Sequence, residues 1–411
     1  MSDEAGDEMR VRAVGKRLRI GFVDFRTDYW SAGEVYLKNL FHALSSLGQE
    51  RRPETVLISE AGARAGWEEG AVDRVVVLGG ARKKKRSMWG RVAGRLLGSG
   101  AGPGPGEERL AAAVEESGVD CLFTINEVPR GQRVPVMTWI PDLQHVSLPE
   151  MFSAEEIRGR DRMFREAAER ADRVILSSGD AQRQYEAFAP GVGVKSSVVS
   201  FTAHFEPSSF ARSPEPVVAG LHLPGKYFFL PNQFWRHKNH ELVIEAVRLA
   251  KEEEPGIVVV CSGNTNDYRH PRYYGTLLAA VSRAGVREQM VMVGLVERHE
   301  VHQLMRQALA VVQPSRFEGW STTVEEAKAI GRPLLLSDLP VHREQVPEGA
   351  EFFGVDDAVG LAGLLVKAYR GWAPGPDVVA ERAARMRSMA AAMVHGEAFL
   401  AAAMKACGRA A

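Results

Sequence analysis

Glu318 and Glu326 stand eight positions apart in the stretch SRFEGWSTTVEEAKAIGRP, Ser315 to Pro333. An ionised carboxylate accepts from two hydroxyls at once, so the backbone between the pair decides what they could hold. Upstream, LAVVQP (Leu309 to Pro314) reads as a short buried strand, and downstream PLLLSD (Pro333 to Asp338) reads as another. Between them Val324, Ala327 and Ile330 recur at helical spacing. Thr322 followed three residues later by Glu325 predicts a capping box, and Gly331 with Pro333 ends the run. The unit is strand, loop, helix, strand. It puts Glu318 in the loop and Glu326 on the first turns of the helix, at the carboxyl end of a parallel strand, where open α/β sheets bind ligands. Amides from Trp320 to Val324 at the helix start favour an anion. Carboxylates beside an anion site predict hydroxyls next to phosphates, as in a nucleotide sugar. A departing diphosphate also needs cations, and NQFWRHKNH supplies Arg236 and Lys238 directly after a strand and before a helix that starts near Asn239.

The elements that must position these residues form the same alternation twice. The first half opens with the strand RLRIGFVDF (Arg17 to Phe25), a loop RTDYWSAGE and an amphipathic helix that stops at Gly48. Strands follow at TVLISE, RVVVLGG, VDCLFTIN, VPVMTWIPD and DRVILSS, with helices around Glu107 to Glu116 and Ala154 to Glu169. After SSVVSF, a stretch rich in Pro and Ser reads as a linker. A second series then runs KYFFLPNQ, GIVVVCSG, QMVMVGL, LAVVQP and PLLLSD. The reading is α/β: two doubly wound, Rossmann-like domains facing across a cleft. The expected boundaries are an acidic tail over 1–16, a first domain over 17–205 with a basic and Gly/Pro-rich insertion at 81–106, and a linker at 206–225. A second domain over 226–375 and a last helix over 376–411 complete the chain. That helix carries a stripe of Val379, Ala383, Met386, Met389 and Met393, expected to face the core.

Composition narrows the function classes. Lys plus Arg equals Asp plus Glu at 52 each, so no global field draws in nucleic acid. The cysteines, Cys121, Cys261 and Cys407, are widely spaced and read as reduced core thiols, not as a disulfide frame or metal site. No apolar run reaches the roughly 18 residues of a membrane span, so a cytoplasmic protein is expected. His237 with His240, and His299 with His302, lack an evident third ligand and read as helix-surface residues. GSGAGPGPG follows no strand and is no dinucleotide fingerprint.

The second half resembles the retaining glycosyltransferases of the GT-B fold, whose signature is two glutamates separated by seven residues, here Glu318 and Glu326 followed by EAKAIGRP. GLVERHEVHQLMRQALAVVQPSRFEG, PNQFWRHKNHELVIEAV and SDLPVHREQ carry the likeness over roughly Lys226 to Asp357. The loop and helix at Ala32 to Leu47 and WIPDLQHVSLPEMF carry it more loosely. The resemblance implies that Glu326 binds the ribose hydroxyls and that Glu318 contacts the transferred sugar or supports charge near its anomeric carbon. It implies a donor site of Gly33, Asn232, Gln233, Arg236, Lys238, Gly294, Glu318, Gly319, Trp320, Ser321, Thr322 and Glu326. Lys238 matches the family's phosphate lysine. Gln233 stands where the usual arginine falls, and Arg236 is the candidate to take its place. His145 resembles the cleft histidine that contacts the donor sugar, and Asp142 orients it or the acceptor hydroxyl. The terminal helix of such enzymes crosses back to the first domain.

The expected activity is sugar transfer from a nucleotide-diphosphate sugar to an acceptor hydroxyl on a glycan, a lipid-linked carrier or a small molecule, with retention, no metal and no cofactor. No D-x-D occurs. An epimerase or phosphorylase on the same fold, or a silent sugar-nucleotide-binding subunit, are the alternatives. One local feature stands apart: RKKKRSMWGRVAGRLLG, Arg82 to Gly98, puts five basic residues before an apolar stripe. It suits a helix lying on the inner face of a membrane, or a polyanionic acceptor, and equally an insertion docked on its own domain.

Overall fold

The computed structural model describes residues 17–24, 32–60, 72–78, 103–346 and 349–409. The 1–16 tail, most of the 81–106 insertion with Arg82 to Gly98, and most of the loop before Gly33 lie outside them.

Two parallel sheets organise the chain. The first holds β1 (Arg19–Val23), β2 (Glu54–Glu60), β3 (Arg74–Leu78), β4 (Cys121–Ile125), β5 (Val136–Trp139), β6 (Arg173–Leu176) and β7 (Ser196–Val198), in the order β3-β2-β1-β4-β5-β6-β7. The second holds β8 (Phe228–Leu230), β9 (Val259–Ser262), β10 (Met290–Gly294), β11 (Val311–Gln313), β12 (Leu334–Ser337) and β13 (Ala350–Phe353), in the order β10-β9-β8-β11-β12-β13. Both orders reverse direction once, between β1 and β4 and between β8 and β11. A parallel strand must return by a crossover, and the helices doing so cover both faces, which is why these strands read as unbroken apolar runs. At each reversal the neighbouring crossovers go to opposite faces and leave a crevice at the carboxyl edge. The residues after β8 and after β11 are those that hold Lys238 and Glu318.

In the first domain the helices are α1 (Ala32–Ser45), α2 (Pro105–Ser117), α3 (Gln144–Ser147), α4 (Ala154–Arg170) and α5 (Gly179–Phe188). In the second they are α6 (Pro207–Ala211), α7 (Glu215–Gly220), α8 (His240–Ala250), α9 (Tyr273–Arg283), α10 (Arg298–Gln307), α11 (Thr322–Ile330), α12 (Pro340–Gln345) and α13 (Ala358–Gly371). Last comes α14 (Val378–Ala406), which packs on α11 of the second domain and on α1, β5 and β6 of the first. Its residues Phe399, Leu400, Ala402 and Ala403 join Phe22, Leu40, Phe123 and Met137 in the first domain's core. The crossing-back expected of the last helix is therefore present.

Four expectations are corrected. The capping box predicted at Thr322 is replaced by Ser321, whose hydroxyl accepts from the Val324 amide and is itself fixed by a 2.9 Å bond from Gln313. The 206–225 stretch is no free linker. It folds as α6 and α7 and packs on α10, because Arg306 and Gln303 donate to the carbonyls of Ser209, Phe210 and Arg212. On α14, Val379, Met386, Met389 and Met393 are exposed, and Ala384, Ala392, His395 and Phe399 face the core instead. A side chain at Gly396 would meet the Ala43 carbonyl at 2.5 Å, so α1 and α14 approach so closely that only small residues fit between them. His237, His240 and His302 are likewise buried, whereas the spacing placed them on helix surfaces.

Candidate active site

The turn after β8 is built around Asn239, held in the left-handed region at φ 57°, a conformation asparagine tolerates better than most residues. Its buried side-chain amide donates to the carbonyls of Pro314 and Val355 at 3.1 and 2.9 Å. The turn is thereby tied to the end of β11, and the preceding residue, Lys238, is aimed across the crevice. Lys238 Nζ lies 2.6 Å from Glu318 Oε1. Gln313, the last residue of β11, donates to the same carboxylate at 2.8 Å and accepts from Asn232 at 2.6 Å. Asn232, Gln313, Glu318, Ser321 and Lys238 thus form one hydrogen-bonded cluster at the β8/β11 switch point. Burial alone would raise the Glu318 pKa, but the charge and hydrogen bond of Lys238 outweigh it and hold the carboxyl below its ordinary range.

Glu326, on the second turn of α11, is almost fully buried and is ion-paired with Arg298. Arg298 is the first residue of α10. A cation there opposes the helix dipole, so its placement is set by Glu326 and not by the helix it begins. Its guanidinium remains half exposed.

The loop between the two glutamates is pressed against the first domain. A Cβ at Gly319 would lie 2.1 Å from the Pro141 carbonyl, so the close approach requires glycine. Ser178 donates to the Gly319 carbonyl at 3.0 Å, and the Trp320 indole donates to the Phe201 carbonyl at 2.9 Å. Beside this, the Glu344 carboxylate accepts from the Gly179 and Asp180 amides at the start of α5, at 2.7 and 3.2 Å. Arg269 reaches over to Gln144 at 3.3 Å and lies over the rings of Phe152 and Trp235, 4.7 and 4.8 Å from their centroids.

The sequence-derived residues divide accordingly. Asn232, Lys238, Glu318 and Ser321 converge, and Gln233 lies in the loop joining Asn232 to the Lys238 turn. Thr322 begins α11, where its amide has no intrahelical acceptor. Gly319 and Trp320 face the first domain, and Asp142 sits beside Gly319 while accepting from the Gln144 amide at 2.9 Å. Gly294 closes β10, its carbonyl accepting from Gly263 at 2.8 Å. Gly33 is buried in the first turn of α1, not in a loop. Arg236 is exposed and forms no ion pair among the described residues.

His145 is displaced from its expected role. Its ring is fully enclosed by Phe152, Phe164 and Phe188, 3.2 Å from Asp161 but without hydrogen-bond geometry to it. Burial, then the charge of Arg160, lowers its pKa. The residues that meet the glutamate loop are instead Pro141, Asp142, Ser178 and Phe201.

Three residues escaped the sequence reading. Gln313 left a faint signal, a polar residue closing an apolar strand. Arg298 left another, a cation where a helix begins. Glu344 left none, since its partners are 164 and 165 positions away. Among the described residues no group of three or more His, Cys, Asp or Glu is placed to hold a metal, and no helix is long and apolar enough to cross a membrane.

Comparisons with known proteins bear on the second domain and on the fold. Residues 217–370 match the family described as glycosyl transferases group 1. The chain is 28% identical over 131 residues to the O-antigen chain mannosyltransferase RfbU of Salmonella typhimurium, covering 32% of this chain and 35% of that protein. It is 27% identical over 155 residues to the D-inositol 3-phosphate glycosyltransferase of Jonesia denitrificans, covering 37% of this chain and 34% of that one. The aligned stretches thus span about a third of each relative. Among solved structures, Anabaena HepE in complex with UDP and glucose aligns with a TM-score of 0.61 at 14% identity, covering 94% of this chain and 95% of that chain. At that identity the likeness is one of fold, and the fold is GT-B.

Proposed function

From a second domain that matches the family described as glycosyl transferases group 1, set in a GT-B fold, we propose that this protein transfers a sugar from a nucleotide-diphosphate sugar to an acceptor hydroxyl with retention of configuration. The observation that carries the reading is the pair of buried carboxylates at the β8/β11 switch point, Glu318 on Lys238 and Glu326 on Arg298. Burying a carboxylate is costly unless a partner offsets it. Two such groups at a ligand-binding edge fit a site for hydroxyls and phosphates better than a scaffold.

In this reading Glu326 accepts from the ribose hydroxyls, while Lys238 and the first-turn amides of α11 take the diphosphate. Glu318 fixes the Lys238 ammonium and lies toward the transferred sugar. The acceptor oxygen bonds to the anomeric carbon as the bond from that carbon to the diphosphate oxygen breaks. The electron pair leaves on the diphosphate, and the acceptor proton passes to a phosphate oxygen on the same face. Lys238 and the helix amides stabilise the charge that develops there, without a metal. Asp142, beside Gly319, faces the acceptor side.

Thermal unfolding against UDP, GDP, ADP, CDP and TDP tests the reading. A nucleotide at 100 times its Kd should stabilise the fold by about 2.7 kcal/mol, and Glu326→Ala should abolish that shift. If none of the five moves the wild type, the donor site is misassigned. Comparing the anomeric configuration of donor and product sugar, through the one-bond C1–H1 coupling in NMR, reads retention.

A further inference from the structure

The outward face of α14 is unlike the rest of the surface. Val378, Val379, Met386, Met389, Met393 and Val394 are all exposed, Val379 by 81% and Met386 by 66%. This one helix carries as many exposed large apolar side chains as all the other described residues together. At 3.6 residues per turn, Val379, Met386 and Met393 fall in line, with Met389 on one side and Val394 on the other. They form an arc about 140° wide and, from Val379 to Val394, about 22 Å long.

The charges on this face are mostly positive. Arg385 borders the arc on one side, Arg387 borders it on the other, Arg382 lies within it, and all three are exposed. Of the helix's two glutamates, Glu381 is buried on Arg306, and Glu397, about one turn beyond Met393 on the same line, is partly exposed and paired with the exposed Arg51. The ridge also runs into a cavity of about 1130 Å³, to which Arg387 and Val394 contribute together with Phe201, Trp320, Trp372 and Lys328.

We propose that this ridge is a docking surface for an anionic lipid bilayer. A helix whose apolar arc has arginines at both borders can lie in the interfacial plane. Its methionines and valines enter the acyl boundary, and the arginine stems lie along apolar surface while their guanidinium groups reach lipid phosphates. A second copy of the chain fits less well. Pairing α14 with itself sets two faces of net positive charge against each other. The surface is distinct from the crevice that holds Glu318 and Glu326, and docking there would fix how that crevice sits over a membrane.

Sedimentation of the full chain with phosphatidylcholine vesicles, with and without phosphatidylglycerol, tests the assignment. Binding should require the anionic lipid and weaken as salt rises. Arg385→Gln with Arg387→Gln should weaken it roughly 30-fold, from the loss of two basic side chains near the surface. Met386→Glu with Met389→Glu should abolish it. These side chains are exposed, so unchanged thermal unfolding verifies that the variants fold. Failure to sediment with either vesicle overturns the proposal, as does binding that survives both double variants. A dimer seen by light scattering and broken by Met389→Glu would assign the ridge to a second copy and overturn it as well. Donor binding in the crevice is read independently by the nucleotide-induced thermal shift, so either conclusion can fail without the other.

Discussion

The contact between Lys238 and Glu318 is both an ion pair and a candidate part of the machinery, and the two roles separate experimentally. Breaking a buried pair leaves a desolvated charge and typically costs about 3–5 kcal/mol, whereas replacing both partners can be close to neutral. Lys238→Met should therefore lower stability in urea unfolding by an amount of that order, reduced by the residual exposure of both side chains. Lys238→Met combined with Glu318→Gln should recover most of it. Sugar transfer should not recover, because the preorganised cation is gone, and removing one such group lowers turnover by about 100- to 1,000-fold. A double variant restored in both respects would reduce the pair to a structural contact. Of the residues involved, Lys238, Glu318 and Glu326 were legible because a glutamate loop between strand and helix, and a lysine at a strand-to-helix turn, are local patterns. Gln313 and Arg298 escaped because what they do is set by partners brought in by other strands.

At the scale of elements the strands were the most legible part, since parallel strands covered on both faces are continuous apolar runs. β13 and α5 were missed: AEFF is short and carries a glutamate, and GDAQRQYEAF has few apolar positions to mark a face. The outward stripe of α14 was misassigned for a physical reason. Alanine surrounds this helix on every side, so the larger residues seem to define the core face. Close packing at Gly396 instead buries the small residues and leaves the methionines outside. What anchors α14 to the second domain is the two-pronged pair of Arg306 and Glu381, at 2.8 and 3.0 Å, both side chains nearly inaccessible. Glu381→Ala should cost about 3–5 kcal/mol, while Met389→Glu, eight positions on, should stay within roughly 0.5 kcal/mol as an exposed substitution. Equal costs from the two, measured by urea titration, would contradict the burial pattern.

Across the whole molecule the domains meet through Gly319, Trp320, Glu344 and Arg269, and the interior holds several uncharged histidine rings. His240, His302 and His395 are each pushed down to about 3, chiefly by burial. A depressed histidine pKa means that the unfolded chain takes up protons the folded one refuses. The folded state is thus at full strength above pH 6.5 and weakens as pH falls from there toward 3, by about 1.4 kcal/mol per unit for each ring. Unfolding free energies at pH 7.5 and 5.5 should differ by at least about 4 kcal/mol on this account, since burial lowers His42 and His237 as well, and His395→Gln should remove about 1.4 kcal/mol of the difference. A flat profile would contradict neutral burial. The course of α14 has one more consequence, which concerns synthesis. The core around Phe22 and Phe123 is closed by Phe399 and Leu400, so the sheet translated first cannot finish packing until nearly four hundred residues have been added. On the ribosome the second domain, whose two cores lie within residues 203–368, can reach its native packing before the first. Until α14 emerges, the nascent amino-terminal half lacks the side chains that close its core.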